Sequence, residues 1–324
     1  MNHFDWIASL MTIVGLSTPI LLAALGELVS EKSGVLNLGV EGMMLLGAIG
    51  GFAAGVMFRD PWIAVLFAAA SGAAGAVLFG IFVLLLNSNQ TATGLALTIF
   101  GTGLSSLLGL SFQGMILMPF GSIFPRTLSH DPVWQVIFGY SPIVYFALIM
   151  VPVVAWFLNK TRAGLILRAV GENDHSAHSL GYSVVAVRFA AVAFGGAMAG
   201  IGGAYFSLVI TPMWAEKMTA GRGWIALALV VFAGWRPGRV LVGAYLFGVL
   251  MWLELFAKAG GFSQVIPNIG PLGYLLAVLQ AIPSEFWAAM PFLMTVVVLA
   301  IISSREQGAG NAPACLGKPF LPSS

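Results

Sequence analysis

Trp62-Ile-Ala-Val-Leu-Phe-Ala-Ala-Ala-Ser-Gly-Ala-Ala-Gly-Ala-Val-Leu-Phe-Gly-Ile-Phe-Val-Leu-Leu-Leu86 runs for 25 residues without a charged side chain. As a helix it is about 37 Å long, enough to cross a hydrocarbon layer of about 30 Å. It has no polar face to turn toward water, so its solvent is lipid. The same reading extends to Ile7–Leu28, Leu36–Phe58, Thr91–Leu110, Ile143–Leu158, Val184–Val209, Val240–Ala257 and Phe286–Ser303. Trp224–Trp235 and Leu272–Ile282 are only 11 or 12 residues long, the length of a half-helix or re-entrant segment. The runs are continuously apolar rather than alternating, which excludes a membrane β-barrel. The expected fold is an all-α polytopic membrane protein of about eight to ten transmembrane or half-membrane helices.

Composition agrees. The chain is 59% hydrophobic and 8% charged, whereas soluble domains carry about 25% charged residues. Its net charge of +2 gives no basis for binding nucleic acid. Cys315 is the single thiol, so neither an internal disulfide nor a cysteine-built metal site is available. The stretch Ile7–Leu25 has no Lys or Arg before it and runs on into further apolar segments, so it reads as a retained span rather than a secretory signal.

Lys160, Arg162 and Arg168 make 159–183 the richest basic connection, with Arg188 just beyond it. Placing it in the cytoplasm puts the N-terminus outside and Glu31 and Lys32 inside. The loop 112–141 becomes external, and Arg236 and Arg239 mark another cytoplasmic turn. Arg305 and Lys318 argue for a cytoplasmic C-terminus. That needs an even number of crossings after Ser183, whereas five candidate segments follow, so one short segment does not cross. The domain reading is a permease domain over 1–303, with 159–183 as its coupling segment, and a disordered cytoplasmic tail over 304–324.

No side-chain constellation for catalysis is present. The four histidines, His3, His130, His175 and His178, all fall in predicted connections. No GxxxxGK[ST] phosphate loop exists. ATP-driven work therefore requires a partner, and the chain is expected to hold no cofactor or metal of its own. His175 and His178 are spaced i,i+3 but lack a carboxylate or thiol set beside them, and read as exposed polar residues of a helix.

Ionisable groups inside a membrane are costly and mark function or structural pairing. Glu27, Glu41 and Glu254 are the candidates. Glu27 and Glu41 flank a short polar break that contains Ser30, Glu31, Lys32, Ser33, Gly34 and Asn37. Asn37 and Glu41 either face the substrate pathway or bond between helices. Gly51 with Gly55, and Gly196 with Gly200, Gly202 and Gly203, predict close helix contact.

The segment Arg168-Ala-Val-Gly-Glu-Asn-Asp-His-Ser-Ala-His-Ser-Leu-Gly181 decides more. Asn173 or Asp174 can cap a helix start, and Gly181 can close its end in the left-handed conformation. The prediction is a helix of about two turns on the cytoplasmic face, either an ordinary connection or a docking element for a soluble partner.

At these residues the chain resembles a known family. Arg168-Ala-Val-Gly-Glu-Asn with Ala177 and Gly181 is similar to the coupling-helix motif of ABC importer permeases of the branched-chain amino acid, ribose and nucleoside group. Leu25-Gly-Glu-Leu-Val-Ser-Glu-Lys-Ser-Gly-Val-Leu-Asn-Leu-Gly-Val-Glu-Gly-Met-Met44 resembles the simple-sugar and nucleoside permeases. Gly221-Arg-Gly-Trp-Ile-Ala-Leu-Ala-Leu-Val-Val-Phe-Ala-Gly-Trp-Arg-Pro237 resembles a third block of that family. The resemblance spans about residues 15–303.

It implies a bacterial-type inner-membrane permease that carries a small polar solute, a nucleoside or simple sugar. The implied partners are a cytosolic ABC ATPase that binds ATP and Mg, a second homologous permease and an extracytoplasmic substrate-binding lipoprotein, all within membrane lipid. On this basis Gly171, Glu172, Asn173, Ala177 and Gly181 are the coupling contacts. Asp174-His175 stands where the family commonly has Pro after Glu-Asn; Asp and Pro both suit a first helical turn. The rivals are a branched-chain amino acid permease of the same type and an ATP-independent secondary transporter relaying ions through Glu41 or Glu254. Glu172→Arg is expected to lower uptake while membrane insertion and helix content persist. Unchanged uptake in a transport assay would remove the coupling assignment.

Overall fold

Turn chemistry sets the helix boundaries at many of these runs. Asp60 accepts N–H bonds from Trp62 and Ile63, and Pro61 opens the next helix. Asn89, Thr161, Asn173 and Ser183 cap other starts in the same way. The computed structural model describes residues 6–122, 124, 132–262, 270–303 and 312–321. In chain order the helices are α1 (Trp6–Lys32), α2 (Val40–Phe58), α3 (Pro61–Gly80, continued by a wider π turn through Leu85) and α4 (Gln90–Gly109). They continue with α5 (Pro132–Phe138), α6 (Pro142–Lys160), α7 (Arg162–Glu172), α8 (Asp174–Ser179), α9 (Val184–Tyr205, again with a π turn to Ile210) and α10 (Arg222–Phe232). The last three are α11 (Pro237–Lys258), α12 (Gly270–Ala281) and α13 (Ser284–Ser303).

Among the described residues, seven helices are long and apolar enough to cross a membrane: α1, α2, α3, α4, α6, α9 and α11. Five of them precede the connection at 159–183, in the order the basic residues require. Lys32, Arg168, Arg236 and Arg239 come together at one end of the bundle, the cytoplasmic end, while Arg59 lies at a cavity at the other.

The parity question resolves at α10. Near the outer end, the N–H of Leu117 bonds Pro212 O, and the N–H of Phe120 bonds Leu208 O. From there the chain descends without helix to Gly221, where α10 begins beside Glu41. It ends at Phe232, and Trp235 in the turn just beyond donates its Nε1–H to Glu31 at the cytoplasmic end of α1. One crossing is thus half non-helical and half a helix of about 16 Å. The rings of Phe262, past the end of α11, and Trp287 lie 5.4 Å apart, and Phe292 lies near Gly221. Hence α13 runs from the outer end back toward the cytoplasm. Among the described residues four crossings follow Ser183, and α12 is the short segment left over.

Helices α1, α2, α3 and α9 form the innermost group. Their contacts are made through glycine. A Cβ at Gly203 would strike the carbonyl of Met44, one at Gly72 the carbonyl of Gly196, and one at Gly47 the backbone of Gly200. Backbones at this separation gain dispersion contact that no larger residue allows. The predicted Gly196, Gly200, Gly202 and Gly203 pattern is therefore the packing face of α9. Gly203→Val should destabilise the fold by about 1–3 kcal/mol or more, the usual cost of overpacking. The check is the unfolding temperature of the detergent-solubilised protein, with Gly103→Val, which has open space at its Cβ, as the control.

Candidate functional site

The connection between α6 and α9 is more structured than its polarity suggests. Thr161 caps α7 through Gly164 N–H, and Asn173 ends α7 and starts α8, accepting the N–H of Ser176 at 2.9 Å. Gly181 has φ +87°, and the N–H of Tyr182 returns to Ala177 O, closing α8 as expected. The predicted two-turn helix is thus a six-residue α8 joined at an angle to an amphipathic α7 that sequence reasoning did not separate.

The five coupling candidates divide by burial. Glu172, Asn173 and Gly181 are exposed, as are His175, Ser179 and Leu180. Leu180 is 76% exposed, an apolar tip on the outermost turn that the motif had not singled out. Gly171 and Ala177 face inward instead. A Cβ at Gly171 would meet the carbonyl of Lys32, and Ala177 packs with Val170, Val184 and Phe320. These two residues seat the segment on the bundle rather than present it outward.

A buried ion pair sits under α8. Arg188 is 1% exposed, and its Nη2 donates to Asp174 Oδ2 at 3.1 Å. Its Nε donates to Ser33 O at 3.1 Å and its Nη1 to Lys318 O at 3.4 Å. One guanidinium therefore joins α8, the polar break after α1, and the C-terminal segment. Burying a charge is tolerable only when it is paired and its remaining donors are used. Asp174, the departure from the family pattern, is that partner. The sequence reading placed Arg188 just beyond the basic connection, inside the run Val184–Val209, without assigning it a partner; the helix start there holds it where expected.

The tail is a second correction. Residues 304–324 were expected to be disordered, but the described part, 312–321, packs against the cytoplasmic end. Cys315 N–H bonds Gly171 O at 2.9 Å, and Gly317 N–H bonds Gly34 O at 3.1 Å. Phe320 inserts beside Val170, Ala177 and Val184, with the rings of His175 and His178 at 5.7 and 5.4 Å. The sequence reading took Gly and Pro as disorder and gave too little weight to Phe320.

Asn37 and Glu41 are buried and bonded within the chain. Asn37 N–H donates to Glu27 Oε1 at 3.0 Å, and its side-chain oxygen accepts Gly39 N–H. Glu41 accepts the Thr219 hydroxyl at 2.5 Å, Gly221 N–H at 2.8 Å and Gly223 N–H at 2.7 Å. It thereby neutralises the positive end of the α10 dipole inside the bundle. Neither residue lines the cavity at the outer end, of about 690 Å³, where Arg59, Trp62 and Phe120 are found. Of the two readings left open, the bond between elements is the one this conformation displays. Glu254, proposed for an ion relay, pairs with Lys258 at 2.6 Å one turn away.

Residues 9–299 match the family model described as branched-chain amino acid transport system / permease component. TsgC13 of Haloferax volcanii, described as a candidate glucose ABC transporter permease, is 42% identical over 298 residues, 90% of each chain. The nucleoside ABC transporter permease NupC of Lactococcus lactis is 32% identical, covering 95% of this chain and 94% of its own. The guanosine ABC transporter permease NupQ of Bacillus subtilis is 28% identical, covering 94% and 93%.

Asp174→Ala leaves the Arg188 guanidinium buried without its counter-charge. The expected cost is about 3 kcal/mol or more, read as a lower unfolding temperature, with part of the loss recovered when Arg188→Met is added. A cost near zero would show that the pair does not hold α8 in place.

Proposed function

The chain belongs to this permease-component family and is a multi-pass, non-enzymatic transport subunit of the cytoplasmic membrane, and we propose that its solute is a simple sugar or a nucleoside. The observation that carries the proposal is end-to-end similarity, at 42% and 32% identity, to permeases named for glucose and for nucleosides. In this reading a cytosolic ABC ATPase supplies the energy, a second permease completes the pathway, and an external binding protein delivers the solute. The ATP and Mg belong, in this reading, to the partner ATPase.

The geometry supports a mechanical role for the connection at 159–183. The exposed side of α8, with Glu172, Asn173 and Gly181, is the surface offered to the ATPase, and Leu180 supplies an apolar anchor. Behind it, Asp174 and Arg188 reach Ser33, and Gly171 meets Lys32. A displacement of α8 is thereby passed to the break at 33–39. From there Glu31 leads to Trp235 and Glu41 to Gly221 and Gly223, so the half-helix α10 moves with its carboxylate partners. Rocking of these elements about the glycine-packed α1, α2, α3 and α9 would alternate access to the pathway.

The test uses cells lacking this chain, complemented with the natural chain and supplied with labelled glucose, guanosine or leucine. Restored uptake of glucose or guanosine that stops when ATP is depleted is the expected result. Restoration of leucine uptake alone would transfer the chain to the amino acid branch. Uptake that persists without ATP would overturn the ABC reading in favour of secondary transport.

A further inference from the structure

A cavity of about 620 Å³ opens at the cytoplasmic end between the last turns of α6 and the turn from α10 to α11. Four cationic side chains from separate parts of the chain line it: Lys32 at the end of α1, Arg168 on α7, and Arg236 and Arg239 at the start of α11. Such convergence is electrostatically unfavourable unless something negative fills the space. Among the described residues, the carboxylates acting on Lys32 are Glu172 and Glu31. Glu31 is already engaged by Trp235 Nε1. Among the described residues Arg168, Arg236 and Arg239 form no ion pair, and the buried Nε of Arg168 has no hydrogen-bond partner.

The backbone adds to this field. Arg236 occupies the cap position of α11 without a side-chain hydrogen bond to the first turn. Gly238, in that turn, has open space where a Cβ would stand. Pro237 has no N–H and the N–H of Arg239 bonds Arg236 O at 3.0 Å, so an oxyanion can approach the N–H of Gly238 and the positive end of the dipole. Trp235 lines the same cavity, with Lys32 Nζ 5.9 Å from its ring centre. Lys32 ends the membrane-crossing helix α1, Arg236 and Arg239 open the membrane-crossing helix α11, and Arg168 on α7 lines the same cavity as the last turn of α6.

We propose that this cavity binds the phosphate of an anionic phospholipid from the cytoplasmic leaflet. A basic pocket between membrane helices on this side suits such a headgroup, and the location favours a lipid over a soluble anion. The occupant would tie α1, α7 and α11 together beside the coupling segment, so lipid composition would bear on the elements that move.

The experiment measures the unfolding temperature of the purified full chain in detergent with added phosphatidylglycerol, phosphatidylcholine or inorganic phosphate. Phosphatidylglycerol should raise it by several degrees, and phosphatidylcholine should not. Arg168→Gln/Arg236→Gln/Arg239→Gln should retain helix content and lose the phosphatidylglycerol shift, and should carry severalfold less anionic lipid through purification. If the triple variant does not fold, Arg239→Gln alone serves, because none of the side-chain bonds described above involves Arg239; it should reduce the shift. Equal shifts with both lipids, or a shift unchanged in the variants, would overturn the proposal. A low-millimolar phosphate effect equal to that of phosphatidylglycerol would reassign the site to a free anion and overturn the lipid.

Discussion

Backbone that leaves the helix inside an apolar layer must find its hydrogen-bond partners within the protein. Here that constraint falls on two segments, residues 33–39 and the descent to Gly221, and both are met by carboxylates of the α1–α2 region. Glu27 accepts the N–H of Asn37. Glu41 accepts a hydroxyl and two N–H groups where α10 begins, and Glu31 holds Trp235 just past its end. Removing these acceptors would leave buried donors unsatisfied at a cost of about 1–3 kcal/mol each. The broken crossing exists because the acid groups are there to terminate it.

The three stretches that resemble known permeases are consequently one structural unit. The first supplies the carboxylates, the third supplies the half-helix they grip, and the stretch at 168–181 attaches to the first through Arg188, Asp174 and the carbonyl of Ser33. Glu31 and Trp235, separated by 204 positions along the chain, meet within hydrogen-bond distance. Two mechanical regimes result. The glycine-matched faces of α2, α3 and α9 are locked by shape, since no side chain can enter between them. The polar links at the cytoplasmic end are discrete bonds, which can exchange partners without repacking a core.

How much of this was legible in advance follows from the range of each interaction. Apolar length, helix caps at Asn173 and Gly181, and the small-residue face of α9 depend on neighbours within a few turns, and the sequence displays them. The half-length of Trp224–Trp235 was visible for the same reason. Its role as the lower half of a broken crossing was not, because that depends on Glu41, far away in the chain. The partners of Arg188 were not visible, because a lone basic residue near a span end looks solvated until the fold brings them to it. Phe320 was overlooked because one aromatic in a Gly- and Pro-containing tail has no periodicity to reveal it.

By itself, then, the sequence determined the solvent, the helical class, the orientation and the family, since these rest on local hydropathy, charge placement and contiguous motifs. Only the tertiary structure decided what the ionisable residues do. A carboxylate within an apolar run is equally costly whether it lines a pathway or caps a buried helix. The choice depends on which donors the fold delivers to it. For Glu41 those donors are Thr219, Gly221 and Gly223, and for Arg188 the acceptors are Ser33, Asp174 and Lys318, all brought close by the folding of distant segments.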